Sequence, residues 1–193
     1  GVVEALLRAG AQTEAATTGG STSLMVASQE GHQGVVEALL RAGAQTEAAF
    51  QDGATSLFIA SSNGHLDVLE ALLRAGAQTE ATDKEGRTSL MVASHQGHQG
   101  VLEALLRAGA QTEAATKEGR TSLFIASQNG HLDVLEALLR AGAQTEAATK
   151  EGRTSLFIAS RQGHQGVLEA LLRAGAQTEA TDKEGRTSLM VAS

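Results

Sequence analysis

A chain of 193 residues with 22 acidic against 15 basic side chains carries a formal charge of −7, which disfavours nucleic acid or an anionic membrane as its main partner. It has no Cys, excluding disulfides and thiolate metal sites, and GVVEALLRAG at its start lacks a basic n-region and a cleavage site. No apolar run approaches the ~18 residues of a membrane span, so the expectation is a soluble, intracellular, cytoplasmic chain without membrane insertion.

In chain order, a helical pattern over Val2 to Arg8 closes at Gly10, and its phrase LLRAGAQTEA then returns at Leu39, Leu72, Leu105, Leu138 and Leu171, a fixed interval of 33. Such self-similarity marks supersecondary units that bury their apolar faces only by stacking. The period divides a single array, 1–193, into a partial unit 1–16, full units 17–49, 50–82, 83–115, 116–148 and 149–181, and a partial unit 182–193. Four Phe and no Trp or Tyr are few for one conventional core, whereas stacked short helices can be filled with Ala, Leu and Val.

The 83–115 unit shows the local signals. Gly86 in DKEGRT marks a turn. Thr88 stands as N-cap before Ser89, Leu90, Met91, Val92, Ala93 and Ser94, and Gly97 supplies a left-handed stop. His98, Gln99 and Gly100 read as the reversal, with a second helix from Val101 to Ala108 ending at Gly109. Glu103 and Arg107 share one stripe four residues apart, and the same spacing recurs in every copy, which predicts an in-helix ladder of solvated pairs.

Five His fall in register, at His32, His65, His98, His131 and His164. Stacked helices sit about 8 to 10 Å apart, too far for neighbouring rungs to converge on one metal ion. The Gly-His step reads instead as a turn whose imidazole hydrogen-bonds nearby backbone. Serines recur at helix starts without a converging base and acid, and glycines appear singly, without phosphate-loop spacing. A ladder presents one group at separated points where catalysis needs different groups at one point. The expectation is therefore not an enzyme, with no cofactor and no metal.

G-R-T-x-L at Gly86 to Leu90, A-S-x-x-G-H at Ala93 to His98 and V-L-x-x-L-L-x-A-G-A at Val101 to Ala110 together resemble the ankyrin repeat, over the whole chain. The resemblance implies an all-α ankyrin-type solenoid of helix-turn-helix units with turn fingers. This chain departs from the family's T-P-L-H, reading T-S-L-M at Thr22, Thr88 and Thr187 and T-S-L-F at Thr55, Thr121 and Thr154, and it has no proline. The family's D-V-N is Q-T-E, as at Gln111, Thr112 and Glu113.

The resemblance also implies a binding surface of fingertips and the concave face of each first helix. The matching finger residues are Lys84, Glu85 and Arg87, Lys117 and Arg120, and Lys150 and Arg153. The matching helix-end pairs, Ser62 with Asn63, His95 with Gln96, Gln128 with Asn129 and Arg161 with Gln162, differ from copy to copy while packing positions hardly change. One finger is anomalous: Phe50, Gln51 and Asp52 stand where others read Thr or Asp, Lys and Glu, which makes Phe50 a candidate exposed anchor. Carboxylates offset the finger cations and no aromatics stand in series, so nucleic acid is not expected.

The function so implied is a non-catalytic protein-protein interaction scaffold, its partner unnamed by the sequence; the rival is a structural spacer or assembly subunit. The sequence begins in a second helix at Gly1 and stops at the close of a first helix at Ser193, without polar caps. Continuation of the array, ends covered by a partner, and end-to-end self-association are the corresponding expectations.

Overall fold

The structure, a computed structural model, describes residues 1–192. It contains eleven α-helices among those residues: α1 (Val2–Arg8), α2 (Ser23–Gln29), α3 (Gln33–Arg41), α4 (Ser56–Asn63), α5 (Leu66–Arg74), α6 (Ser89–Gln96), α7 (Gln99–Arg107), α8 (Ser122–Asn129), α9 (Leu132–Arg140), α10 (Ser155–Gln162) and α11 (Gln165–Arg173). Each spans seven to nine residues, below the roughly 12 at which an isolated helix is even marginal, so packing must hold them. None is long and apolar enough to cross a membrane.

Local chemistry sets the boundaries of the even-numbered helices. The hydroxyl of Thr88 accepts the Met91 N–H at 3.4 Å, and Thr55, Thr121 and Thr154 do the same for Phe58, Phe124 and Phe157 at 3.3 Å, satisfying one orphan donor per helix. Gly97 closes α6 at φ 77, a conformation that costs a residue bearing Cβ. The odd-numbered helices begin two residues earlier than the composition suggests: α7 starts at Gln99 with His98 as N-cap, so Gln99 and Gly100 are helical. Helical geometry brings the Gln99 amide to Glu103, 3.0 Å away, as Gln33 reaches Glu37 and Gln165 reaches Glu169.

The even helices pack on one another in sequence, the odd helices likewise, and each even helix packs on the odd helix that follows it. One apolar core runs between the two layers. Leu90 from α6 meets Val101, Leu102 and Leu105 from α7, all at most 2 % exposed, and the equivalents in the other units continue it without a break. Full burial of each such side chain stabilises by about 1.5–3 kcal/mol, repeated at every interface. The outer helix α1 has no buried residue, and Val2 and Leu6 are exposed. At the other end Leu189–Val191 forms a single 3-10 turn rather than an α-helix, with Leu189 and Met190 exposed. Ser193 lies outside the described residues.

The fingers join edge to edge. Asp83 N–H donates to the Arg87 carbonyl and Gly86 N–H to the Asp83 carbonyl, closing one finger. Adjacent fingers are tied by Lys84 N–H to the Asp52 carbonyl at 2.7 Å, Lys117 to Glu85 at 3.2 Å, Lys150 to Glu118 at 2.9 Å and Lys183 to Glu151 at 3.0 Å.

Candidate functional site: the finger and first-helix groove

The polar groups that recur at the unit interval act between units. His65, His98, His131 and His164 each place Nε2 within 2.9 to 3.2 Å of a carbonyl oxygen at the end of the preceding even helix, those of Gln29, Ser62, His95 and Gln128. A carbonyl only accepts, so Nε2 carries the proton. The bonded backbone is thus 36 residues back rather than local. Among the described residues no even helix precedes His32, and it makes no such bond.

The Glu and Arg ladder is also an inter-unit device, which corrects the in-helix expectation. Arg41, Arg74, Arg107, Arg140 and Arg173 lie 3.7 to 3.9 Å from Glu4, Glu37, Glu70, Glu103 and Glu136 of the unit before. Among the described residues, the i,i+4 pairing of this ladder within a helix comes within 4.0 Å only at Glu4 with Arg8 and Glu70 with Arg74. The Glu of each Q-T-E loop likewise reaches into the next unit. Glu80 Oε1 accepts the Gln111 N–H at 3.0 Å, and Glu14, Glu47, Glu113 and Glu146 repeat the bond for Gln45, Gln78, Gln144 and Gln177.

With those groups assigned to stacking, the face made by fingers and even helices remains. A groove of about 690 Å³ crosses α4, α6 and α8 and the two fingers between them. It brings together Ser62, Glu85, Arg87, His95, Gln96, Arg120, Gln128 and Asn129 of the expected site residues. Asn63, Lys84, Lys117, Lys150, Arg153, Arg161 and Gln162 lie outside it, along the same ribbon or its outer edge. Sequence reading missed the groove's apolar contributors Phe58, Met91, Val92 and Ile125, which look like core residues in the repeat. The polar Thr116 was missed as well, whereas Glu118 lies at the Glu85 register of the expected finger positions.

Phe50 is not an exposed tip. It is half-buried against Met25, Ala54 and Ile59, alongside Ala48 and Phe58, in a small apolar seam beneath the second finger. Gln51 and Asp52 are exposed beside it, and Asp52 Oδ1 accepts the Ala54 N–H at 3.0 Å.

Electrostatics differ from finger to finger. Asp83 is buried and its carboxylate takes the Arg87 guanidinium, whose carbon lies 5.7 Å from the centre of the Phe58 ring. Asp182 and Arg186 repeat the arrangement over Phe157 at 5.9 Å. Hydrogen bonding from Arg186 holds the Asp182 carboxyl well below the usual carboxylate range, against a burial effect that raises it. The same bond raises the Arg186 guanidinium.

Two layers of short helices with edge-joined fingers, stacked at a constant interval, define a helical solenoid whose surface is a ribbon. Family models agree: the description "Ankyrin repeats (3 copies)" matches residues 1–83 and 57–149, and "Ankyrin repeat" matches 151–183. The chain belongs to the ankyrin repeat family. Among solved structures it is similar to the ankyrin repeat domain of Bcl-3, described as a unique member of the IkappaB protein family, at 30% identity and a TM-score of 0.89, covering 100% of this chain and 86% of that one. A comparison with curated proteins finds no match.

Proposed function

We propose that the chain is a non-catalytic interaction scaffold that holds a protein partner in the groove formed by its fingers and even helices. Ankyrin repeats are generally protein-protein interaction modules, and the family assignment supports that class of role. The observation that carries the reading is the groove itself: it crosses three units and is edged by Ser62, His95, Gln96, Gln128 and Asn129, which are among the positions at which otherwise near-identical copies differ. The recurring His, the Glu and Arg of the odd helices and the Q-T-E Glu, by contrast, are spent on neighbouring units. Buried serine hydroxyls at Ser56, Ser89, Ser122 and Ser155 face no base that would make them nucleophiles.

The test is to select peptides from a display library against the whole chain and titrate the winners against Gln96→Lys, Asn129→Lys and Gln111→Lys. Gln111 is exposed in a Q-T-E loop outside the groove. Affinity lost through the first two changes and kept through the third supports the reading; equal loss from all three, or none from any, overturns it.

A further inference from the structure

Four fingers carry an Arg at one register, and their geometry divides them into two kinds. Where the finger opens on Asp, the buried carboxylate takes both the backbone and the guanidinium of the Arg four residues on. Asp83 Oδ1 accepts the Arg87 N–H at 2.8 Å while Oδ2 accepts Nε at 2.7 Å and Nη2 at 2.6 Å. Asp182 does the same for Arg186 at 2.9, 2.9 and 2.6 Å. Where the finger opens on Thr, the hydroxyls of Thr116 and Thr149 accept the N–H groups of Arg120 and Arg153, both at 3.2 Å. The loop keeps its closure but the guanidinium receives no carboxylate. Among the described residues, no Asp or Glu oxygen lies within 4.0 Å of Arg120 or Arg153, and Nε of Arg153 is buried without an acceptor.

The formal charge of −7 conceals this polarity. Six Glu of the Q-T-E loops with Asp67 and Asp133 supply eight negative charges, none of them on a finger or an even helix, and the Glu and Arg of the inter-unit ladder cancel. On the binding face, Glu30 and Asp52 make the first two units acidic. The fingers at 116–120 and 149–153 are each left with one net positive charge after Glu118 and Glu151 offset Lys117 and Lys150. That half of the face is locally cationic on an acidic protein.

We propose that the 116–120 and 149–153 fingers with the adjoining helix ends dock an acidic peptide segment, whose carboxylates complete Arg120 and Arg153 as Asp83 completes Arg87. The proposal rests on reading the groove as a protein-binding surface, extends that surface from the groove's 116–120 finger to the neighbouring 149–153 finger, and names the chemistry of its occupant. Guanidinium and carboxylate meet in a bidentate fork that a Lys could not supply. No exposed aromatic flanks these Arg, so the surface lacks the platform on which nucleobases would stack.

A fluorescein-labelled peptide of alternating Glu and Gly is titrated by fluorescence anisotropy against the whole chain at low and at physiological salt. Wild type binds it, more weakly as salt rises. Thr116→Asp/Thr149→Asp, which installs the internal carboxylate that Asp83 shows the loop accepts, weakens binding by at least ~10-fold. Arg120→Gln weakens it too, and Asp83→Thr strengthens it. Far-UV circular dichroism of each variant checks the fold. Unchanged affinity in Thr116→Asp/Thr149→Asp, no binding by wild type, or equally tight binding of a Lys-Gly peptide or a single-stranded oligonucleotide overturns the proposal. If only a peptide of other chemistry binds, and Gln96→Lys abolishes that binding, the groove keeps its role and the acidic specificity is overturned.

Discussion

His131 Nε2 donates to the carbonyl oxygen of His95 across 3.0 Å, and its ring lies so close to Gly97 that a Cβ there would stand 2.8 Å from Nδ1. One imidazole therefore both satisfies the end of the preceding even helix and fills the space a glycine leaves open. Removing it should cost about 1–2 kcal/mol, the net value of the hydrogen bond plus lost packing. His32, which has no such partner, serves as the comparison. We expect His131→Ala to lower the urea midpoint clearly and His32→Ala to leave it nearly unchanged, followed by far-UV circular dichroism because the chain lacks Trp and Tyr. Equal effects at the two positions would show that the inter-unit bond contributes nothing.

The serine that stands where the family carries proline is a correctable weakness. The hydroxyls of Ser56, Ser89, Ser122 and Ser155 are buried with no partner. Each is the first residue of its helix, and the preceding Thr88 lies at φ −90 and ψ 168, as a residue before proline requires. Proline at this position forfeits no intrahelical donor and restricts the unfolded chain. Ser89→Pro should stabilise by about 0.4–1 kcal/mol, and the four changes together should raise the thermal midpoint further. A lowered midpoint for Ser89→Pro would mean that the ring cannot fit where the hydroxyl sits.

Features written in local chemistry were legible in the sequence, and features that depend on the offset between units were not. Thr88 as N-cap and Gly97 as helix stop depend on neighbours within three or four residues, and both stand as read. Gln99 and Gly100 look like turn residues by composition, yet α7 begins at Gln99 because Gly97 and His98 suffice for the reversal. The partner of Arg107 is Glu70, not Glu103. A helical wheel cannot show that, since the choice depends on how far α7 is displaced along α5. Phe50 illustrates the same limit: its neighbour Met25 belongs to the preceding unit. In the candidate site, each finger Arg has a carboxylate two residues before it, which makes all four look alike. Only Asp83 and Asp182, four residues before, reach as far as both backbone and guanidinium.

The Glu and Arg ladder on the odd helices can be apportioned by double-mutant cycles. Arg140 lies 3.8 Å from Glu103, with the two side chains 64% and 39% exposed, so each coupling should be small, about 0.2–1 kcal/mol. The ordering is the informative part. Coupling between Glu103 and Arg140 should exceed that between Glu103 and Arg107, and both should fade at high salt. A larger in-helix coupling would return the ladder to the isolated helices and remove it from the interfaces between units.

The finger that opens on Asp182 should respond to acid in a direction fixed by its own geometry. Its carboxyl is depressed below the usual 3.8 by the Arg186 hydrogen bond. Protons therefore bind the unfolded chain more readily than the folded one. The stability contributed is fully present above about pH 3.8 and is lost as pH falls through the lower folded value. Carboxyl chemical shifts followed by NMR should show Asp182 still ionised below the usual carboxylate range. Asp182→Asn should be less stable than wild type at neutral pH, with the difference narrowing toward strong acid. If Asp182 titrates within the usual carboxylate range, the Arg186 contact is too loose to matter, and the contrast between Asp fingers and Thr fingers would have to rest on geometry alone.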